Sequence, residues 1–95
     1  MNKLPVELGS IVISKAGRDQ GRRFLVVGEA DDDFVMVADG GLRKMDRQNK
    51  KRRKHLKPTG RVVKTVAERL AAGQAIEDHE LRDWLSEEEE KLVQV

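Results

Sequence analysis

The side chains that could do chemistry in this sequence are mostly cations. Lys50, Lys51, Arg52, Arg53 and Lys54 stand side by side. Five adjacent positive charges repel one another until a polyanion neutralises them, and each phosphate contact would then release counterions. A second group, Lys15, Arg18, Arg22 and Arg23, surrounds Gly17 and Gly21. Glycines give such a loop backbone angles that other residues reach only at a cost, and a rigid cationic loop suits a phosphate backbone. Arg18, Arg22 and Arg23 have a structural alternative, pairing with Asp19 or with Asp31, Asp32 and Asp33.

The net charge of +2 conceals how these charges are laid out. Residues 43–64 carry eleven bases against a single acid, Asp46, whereas residues 76–95 carry eight acids against Arg82 and Lys91. A chain basic in its middle and acidic at its tail points to nucleic acid for the basic part. From the run at 50–54 alone, a solvated loop, a localisation tag and a patch for acidic lipids stay open. The tail at 87–90 reads as a helix start facing water, with binding of a basic protein or masking of the basic run as alternatives.

Other chemistry finds little support. The chain has no cysteine, which rules out disulfides and cysteine-based metal sites and fits a reducing cytosol. His55 and His79 are far apart in sequence, and the acids at 31–33 lack the spacing of a calcium loop, so no metal or other cofactor is expected. No nucleophile context and no Gly-rich loop of the nucleotide-hydrolase type occurs, so an enzyme is not expected. No apolar run is long enough to span a membrane and no apolar signal region opens the chain; the expectation is a cytoplasmic protein, monomeric when free. Aromatic residues make up only 3%. Phe24 and Phe34 are expected to face a core, as is Trp84 on a helix, which leaves phosphates and folded shape as the means of recognition.

The elements that must position these cations follow from the apolar pattern. Residues 11–13, 24–27 and 34–37 are apolar runs separated by Gly- and Asp-rich turns, the pattern of consecutive antiparallel strands. Strands apolar on both faces need cover on both faces. A small, partly open five-stranded barrel supplies the inside, and a helical C-terminus packed back on it supplies the outside. Residues 4–7 read as an arm or edge strand, 42–46 as a fourth strand, 47–54 as an extended mobile segment, and 55–57 as a last strand ended by Pro58, Thr59 and Gly60. Thr65 and Glu68 have capping-box spacing, and Gly73 stops that helix. Asp78 is a suitable N-cap for a second helix bearing Leu81, Trp84 and Leu85. Ser86 and Glu89 suggest a third, with Leu92 and Val93 as its docking face.

The spacing Gly9, Val12, Ser14, Gly17, Arg18, Asp19, Gly21, Arg22, followed by an apolar strand, resembles the KOW motif of ribosomal and transcription-associated proteins. Among these it is most similar to KOW-class large-subunit ribosomal proteins, over roughly the first sixty residues. Asp39-Gly40, Arg43-Lys44 and the run at 50–54 leading to His55-Leu56 resemble the basic segment that trails the core in ribosomal members, although Gln48-Asn49 stands where such proteins often have a proline. The resemblance implies a small SH3-like (KOW) β-barrel in residues 1–60, with a basic segment at 43–57; together with the two to three short helices read from the pattern of 61–95, the expected fold is mainly β with an α extension. It implies a turn built on Gly17, Asp19 and Gly21; turn chemistry by itself gives Asp19 the role of ordering it through side-chain-to-backbone hydrogen bonds. It also implies binding to RNA, ribosomal RNA above all, with ribosomal proteins as further partners. The binding residues on this reading are Lys15, Arg18, Arg22, Arg23, Arg43, Lys44, Arg47, Lys50, Lys51, Arg52, Arg53, Lys54, His55 and Lys57. The alternative is a KOW protein-interaction module of the transcription or translation machinery, for which the outer barrel face or the acidic helix would be the interface.

Overall fold

Alternation of side chains sorts this protein into two cores. The computed structural model describes residues 6–93, with side chains through Glu87. Five strands, β1 (Ser10–Ser14), β2 (Arg23–Glu29), β3 (Phe34–Ala38), β4 (Asn49–Arg52) and β5 (Leu56–Val62), form one antiparallel sheet in the order β4-β3-β2-β1-β5. Val12, Phe24, Val26, Val35, Val37 and Leu56 cluster on one face, with Val6 and Leu8 packed against them. Ile11, Leu25, Val27 and Ala38 point to the other, where they meet Val63, Val66, Ile76, Leu81 and Leu85. Cross-strand partners fall in the same cluster: Ile11 faces Leu25, Val12 faces Phe24, and Val26 faces Val37. Each fully buried apolar side chain contributes on the order of 2 kcal/mol.

The sheet has to curl. Its edge strands, β4 and β5, are separated in sequence by only a 3-10 turn at Arg53–His55. That stretch of chain reaches at most roughly 14 Å, whereas four strand spacings in a flat sheet measure about 19 Å. Register shifts between Val26 and Gly28 on β2, and between Ser10 and Val12 on β1, add the twist that curling needs. The hydrogen-bond ladder nevertheless stays open, with β4 and β5 as its two edges.

Several sequence expectations are corrected here. Residues 42–46 are not a strand, and the basic run is not an unstructured segment. Backbone N–H groups that a strand at 42–46 would need are taken by carboxylates: Arg43 donates to Asp39 Oδ1 (2.9 Å), as does the preceding Gly41 (2.9 Å), and Met45 donates to Asp78 Oδ1 (2.8 Å). After a 3-10 turn at Met45–Arg47 the fourth strand is the charged Asn49–Arg52, paired along β3 from Phe34↔Arg52 to Val37↔Asn49. The last strand does not stop at Pro58. Pro58 sits opposite Val12 on the edge strand, with its missing N–H on the open side, so pairing continues past it; the Thr59 hydroxyl adds a bond to the Ile11 carbonyl at 2.9 Å, and β5 runs on to Val62.

Helix α1 (Lys64–Ala71) starts after Val63 with no side-chain cap, so Thr65 lies inside it and makes no capping box. It does end at Gly73: φ there is 73°, Gln74 N–H donates to the Arg69 carbonyl (2.8 Å) and Gly73 N–H to that of Leu70 (3.2 Å), a Schellman closure. Helix α2 (Asp78–Val93) already includes Asp78, whose carboxylate serves Met45. The N–H of Glu77 is accepted by Glu80 Oε1 at 3.2 Å. No third helix begins at Ser86; nothing between Asp78 and Val93 is Gly or Pro, and α2 continues through. Arg69 on α1 binds the Glu80 carboxylate on α2 (2.6 Å to Oε1), while Arg61 reaches Glu87 (3.7 Å). The expected arm at Leu4 and Pro5, and the docking side chains of Leu92 and Val93, lie outside the described residues.

Candidate nucleic-acid interface

The turn between β1 and β2 is closed by its own backbone. Gly21 N–H donates to the Ser14 carbonyl (2.8 Å), Ser14 N–H to Arg22 (2.9 Å) and Arg22 N–H to Asp19 (2.9 Å). Gly17 and Gly21 have φ of 76° and 88°, in the left-handed region that favours glycine. The Asp19 side chain does something other than order this turn. It is only 4% exposed, and its Oδ2 accepts from Arg43 (3.1 Å), Lys51 (3.2 Å) and the Asn49 amide (3.5 Å). Burial pushes the Asp19 carboxyl upward, but hydrogen bonds from Lys51 and Arg43, with their charges, outweigh it and hold the group below the usual carboxylate value. One carboxylate thus ties the first basic loop to the second basic segment. A backbone bond from Lys15 N–H to the His55 carbonyl (2.8 Å) ties them again.

The strand period divides the basic run. Lys51 turns inward, 13% exposed, between Asp19 and the face of Phe24 (5.9 Å). Lys50 and Arg52 turn outward over the ring of Phe34, at 4.8 and 5.0 Å from its centroid. Phe34 is therefore a half-buried platform under two cations and lies outside the core, contrary to the sequence expectation. Arg53 turns back to the carbonyl of Val6 and to Glu29 (3.4 Å). Arg22 pairs loosely with Asp39 at 3.6 Å, and Arg23 is half-buried. Lys15, Arg18, Lys44, Arg47, Lys54, His55 and Lys57 are exposed. Lys15, Arg53, Lys54 and Lys57 share an open cleft of ≈ 590 Å³ with Val6, Leu56 and Pro58. The acids at the β2–β3 tip are exposed, and Asp31 Oδ1 closes the turn by accepting from Asp33 and Phe34 N–H (2.8 and 3.0 Å). Among the described residues no cluster of His, Cys, Asp or Glu could hold a metal ion, and no helix is long and apolar enough to cross a membrane.

Sequence reasoning missed Asn49 and Phe34, which lie on opposite sides of the sheet at this end. The signal available was parity: Asn49 and Lys51 share one side of a strand, as Phe34 and Met36 do opposite Val35 and Val37.

Fold and face together define a small, mainly β protein with a clamped cationic end, and it resembles KOW-class large-subunit ribosomal proteins. Over 59 residues the chain is 36% identical to "Large ribosomal subunit protein eL14" of Desulfurococcus amylolyticus, a match covering 62% of this chain and 62% of that protein. The match thus spans less than two thirds of the relative's length. No protein-family model matches the chain.

Proposed function

We propose that the protein binds RNA, namely ribosomal RNA of the large subunit, as a non-enzymatic cytoplasmic component of translation with ribosomal proteins as neighbours. On this reading the five strands form an SH3-like unit that carries the RNA contacts, and the helices that follow form an extension that backs it; the division falls after Val62, where β5 ends, and not at residue 60. The observation that carries the proposal is the Asp19 clamp, which gathers two basic segments distant in sequence onto one end of the sheet. Rigid placement of cations lowers the ordering cost of meeting a folded polyanion. Pairing and exposure support a division of roles: Lys51, Arg43 and Arg53 are engaged in internal ion pairs and would hold the face together, while the exposed Lys50, Arg52 and Lys54, with Lys15, Arg18 and Lys57, would meet the phosphates. The likeness to a large-subunit ribosomal protein supports the choice of RNA.

The test is titration of the full chain with purified large-subunit ribosomal RNA and with random RNA of equal length, across a salt series. Binding to ribosomal RNA that persists at salt where the random RNA has dissociated is expected. Equal, steeply salt-sensitive binding to both would reduce the proposal to generic polyanion affinity.

A further inference from the structure

The loop between β3 and the Met45–Arg47 turn presents an apolar side chain where charge surrounds it. Leu42 is 62% exposed, the one exposed large hydrophobic residue among those described. Its loop is held from several sides. Asp39 Oδ1 accepts from Gly41 and Arg43 N–H, and Asp39 and Gly40 N–H donate to the Arg43 carbonyl (2.8 and 3.1 Å). Arg82 of α2 donates to the Gly40 carbonyl at 2.6 Å. Leu42 is therefore displayed on a fixed backbone, and little entropy remains to be lost when something covers it.

Two hollows meet at this side chain. One, of ≈ 460 Å³, is lined by Leu42 together with Arg22, Arg82 and Asp39; the other, of ≈ 330 Å³, by Leu42 with Lys44, Arg47 and Asp46. Of the two acids, Asp39 is engaged by the loop N–H groups and by Arg22. Cations outnumber acids in both hollows, so the surface on each side of the apolar tip suits phosphates. Nucleic-acid binders use such tips as wedges against sugars and unstacked bases, and folded RNA offers these in its loops and bulges.

We propose that Leu42 is a wedge straddled by an RNA strand, which covers the leucine with a sugar or unstacked base and lays its phosphates in the two cationic hollows. The proposal rests on the RNA reading and adds an apolar contact from the β3–β4 connection, beside Gly21 and Arg22 of the first turn. The test titrates purified large-subunit ribosomal RNA with the full chain as wild type, Leu42→Ala and Leu42→Met, at several salt concentrations, alongside thermal unfolding of each. Leu42→Ala is expected to weaken binding about tenfold at every salt, because the lost contact is apolar, and to leave the salt slope and Tm unchanged. Leu42→Met restores most of the affinity. If wild type binds and Leu42→Ala binds equally well, the wedge is overturned and the RNA reading stands. If wild type does not bind, both fall. A Leu42→Ala loss that comes with a lower Tm makes the leucine structural and overturns the wedge.

Discussion

Asp19 shows how one acidic residue can organise a cationic face. A buried carboxylate is tolerated because Lys51 and Arg43 neutralise it, and Lys51 is tolerated so far inside for the same reason. Removing the charge leaves them uncompensated, so Asp19→Asn is expected to cost about 3 kcal/mol at neutral pH by urea denaturation. The pH dependence has a definite sign. With its carboxyl held below the ordinary value, Asp19 contributes stability that is fully present above its unfolded pKa of roughly 3.9 and is lost as pH falls through the lower folded value. Wild type should therefore lose part of its advantage over Asp19→Asn as pH drops below about 4, the two curves converging. A gap that stays constant down to the acid limit would mean that charge is not what Asp19 contributes.

At the level of elements, the β3–β4 connection is fixed by its approach to α2. Gly40 has φ of 78°, and a Cβ there would run into the Asp78 carbonyl and lie 3.1 Å from Arg82 Cγ. Gly17 has a similar φ of 76°, with nothing within 4 Å of where its Cβ would stand. Gly40→Ala is therefore expected to cost roughly 3 kcal/mol or more, strain plus collision, against about 1 kcal/mol for Gly17→Ala. Thermal unfolding separates the two, and equal falls in Tm would show that backbone angle alone matters at both. This connection is also where the sequence was hardest to read. Strands β1 to β3 were legible because their unbroken apolar runs demand two covered faces, and the helices because 66, 70, 81 and 85 follow a helical period. Strand β4 was not, because Asn-Lys-Lys-Arg has no apolar period at all. Its pairing is decided by β3 and by Asp19, thirty or so residues away, and local pattern does not carry that information. The end of β5 was hidden too, since a proline reads as a stop although on an edge strand its missing N–H faces away from the ladder and pairing continues to Val62.

For the whole molecule the question is how many of its cations a polyanion meets. A nearly balanced net charge gives no guide, because many acids sit on α2 while the cations gather in the middle of the sequence. Composition would count every lysine and arginine of the basic run alike, yet geometry does not: Lys51 and Arg53 are bound to Asp19 and Glu29, whereas Lys50, Arg52 and Lys54 are exposed. Each phosphate neutralised contributes about 0.7 to the slope of log affinity against log salt for a single strand. Replacing Lys50, Arg52 and Lys54 together by Gln should then reduce that slope by about 2 with little change in stability. Replacing Lys51 and Arg53 by Gln should do the reverse, lowering the urea midpoint while leaving the slope near its wild-type value. Binding isotherms on ribosomal RNA at four or five salt concentrations, read beside denaturation curves, distinguish the two sets. Equal loss of slope from both would mean that RNA breaks the internal pairs on binding. The clamp would then be a feature of the free protein alone, and the face would be rebuilt around the phosphates.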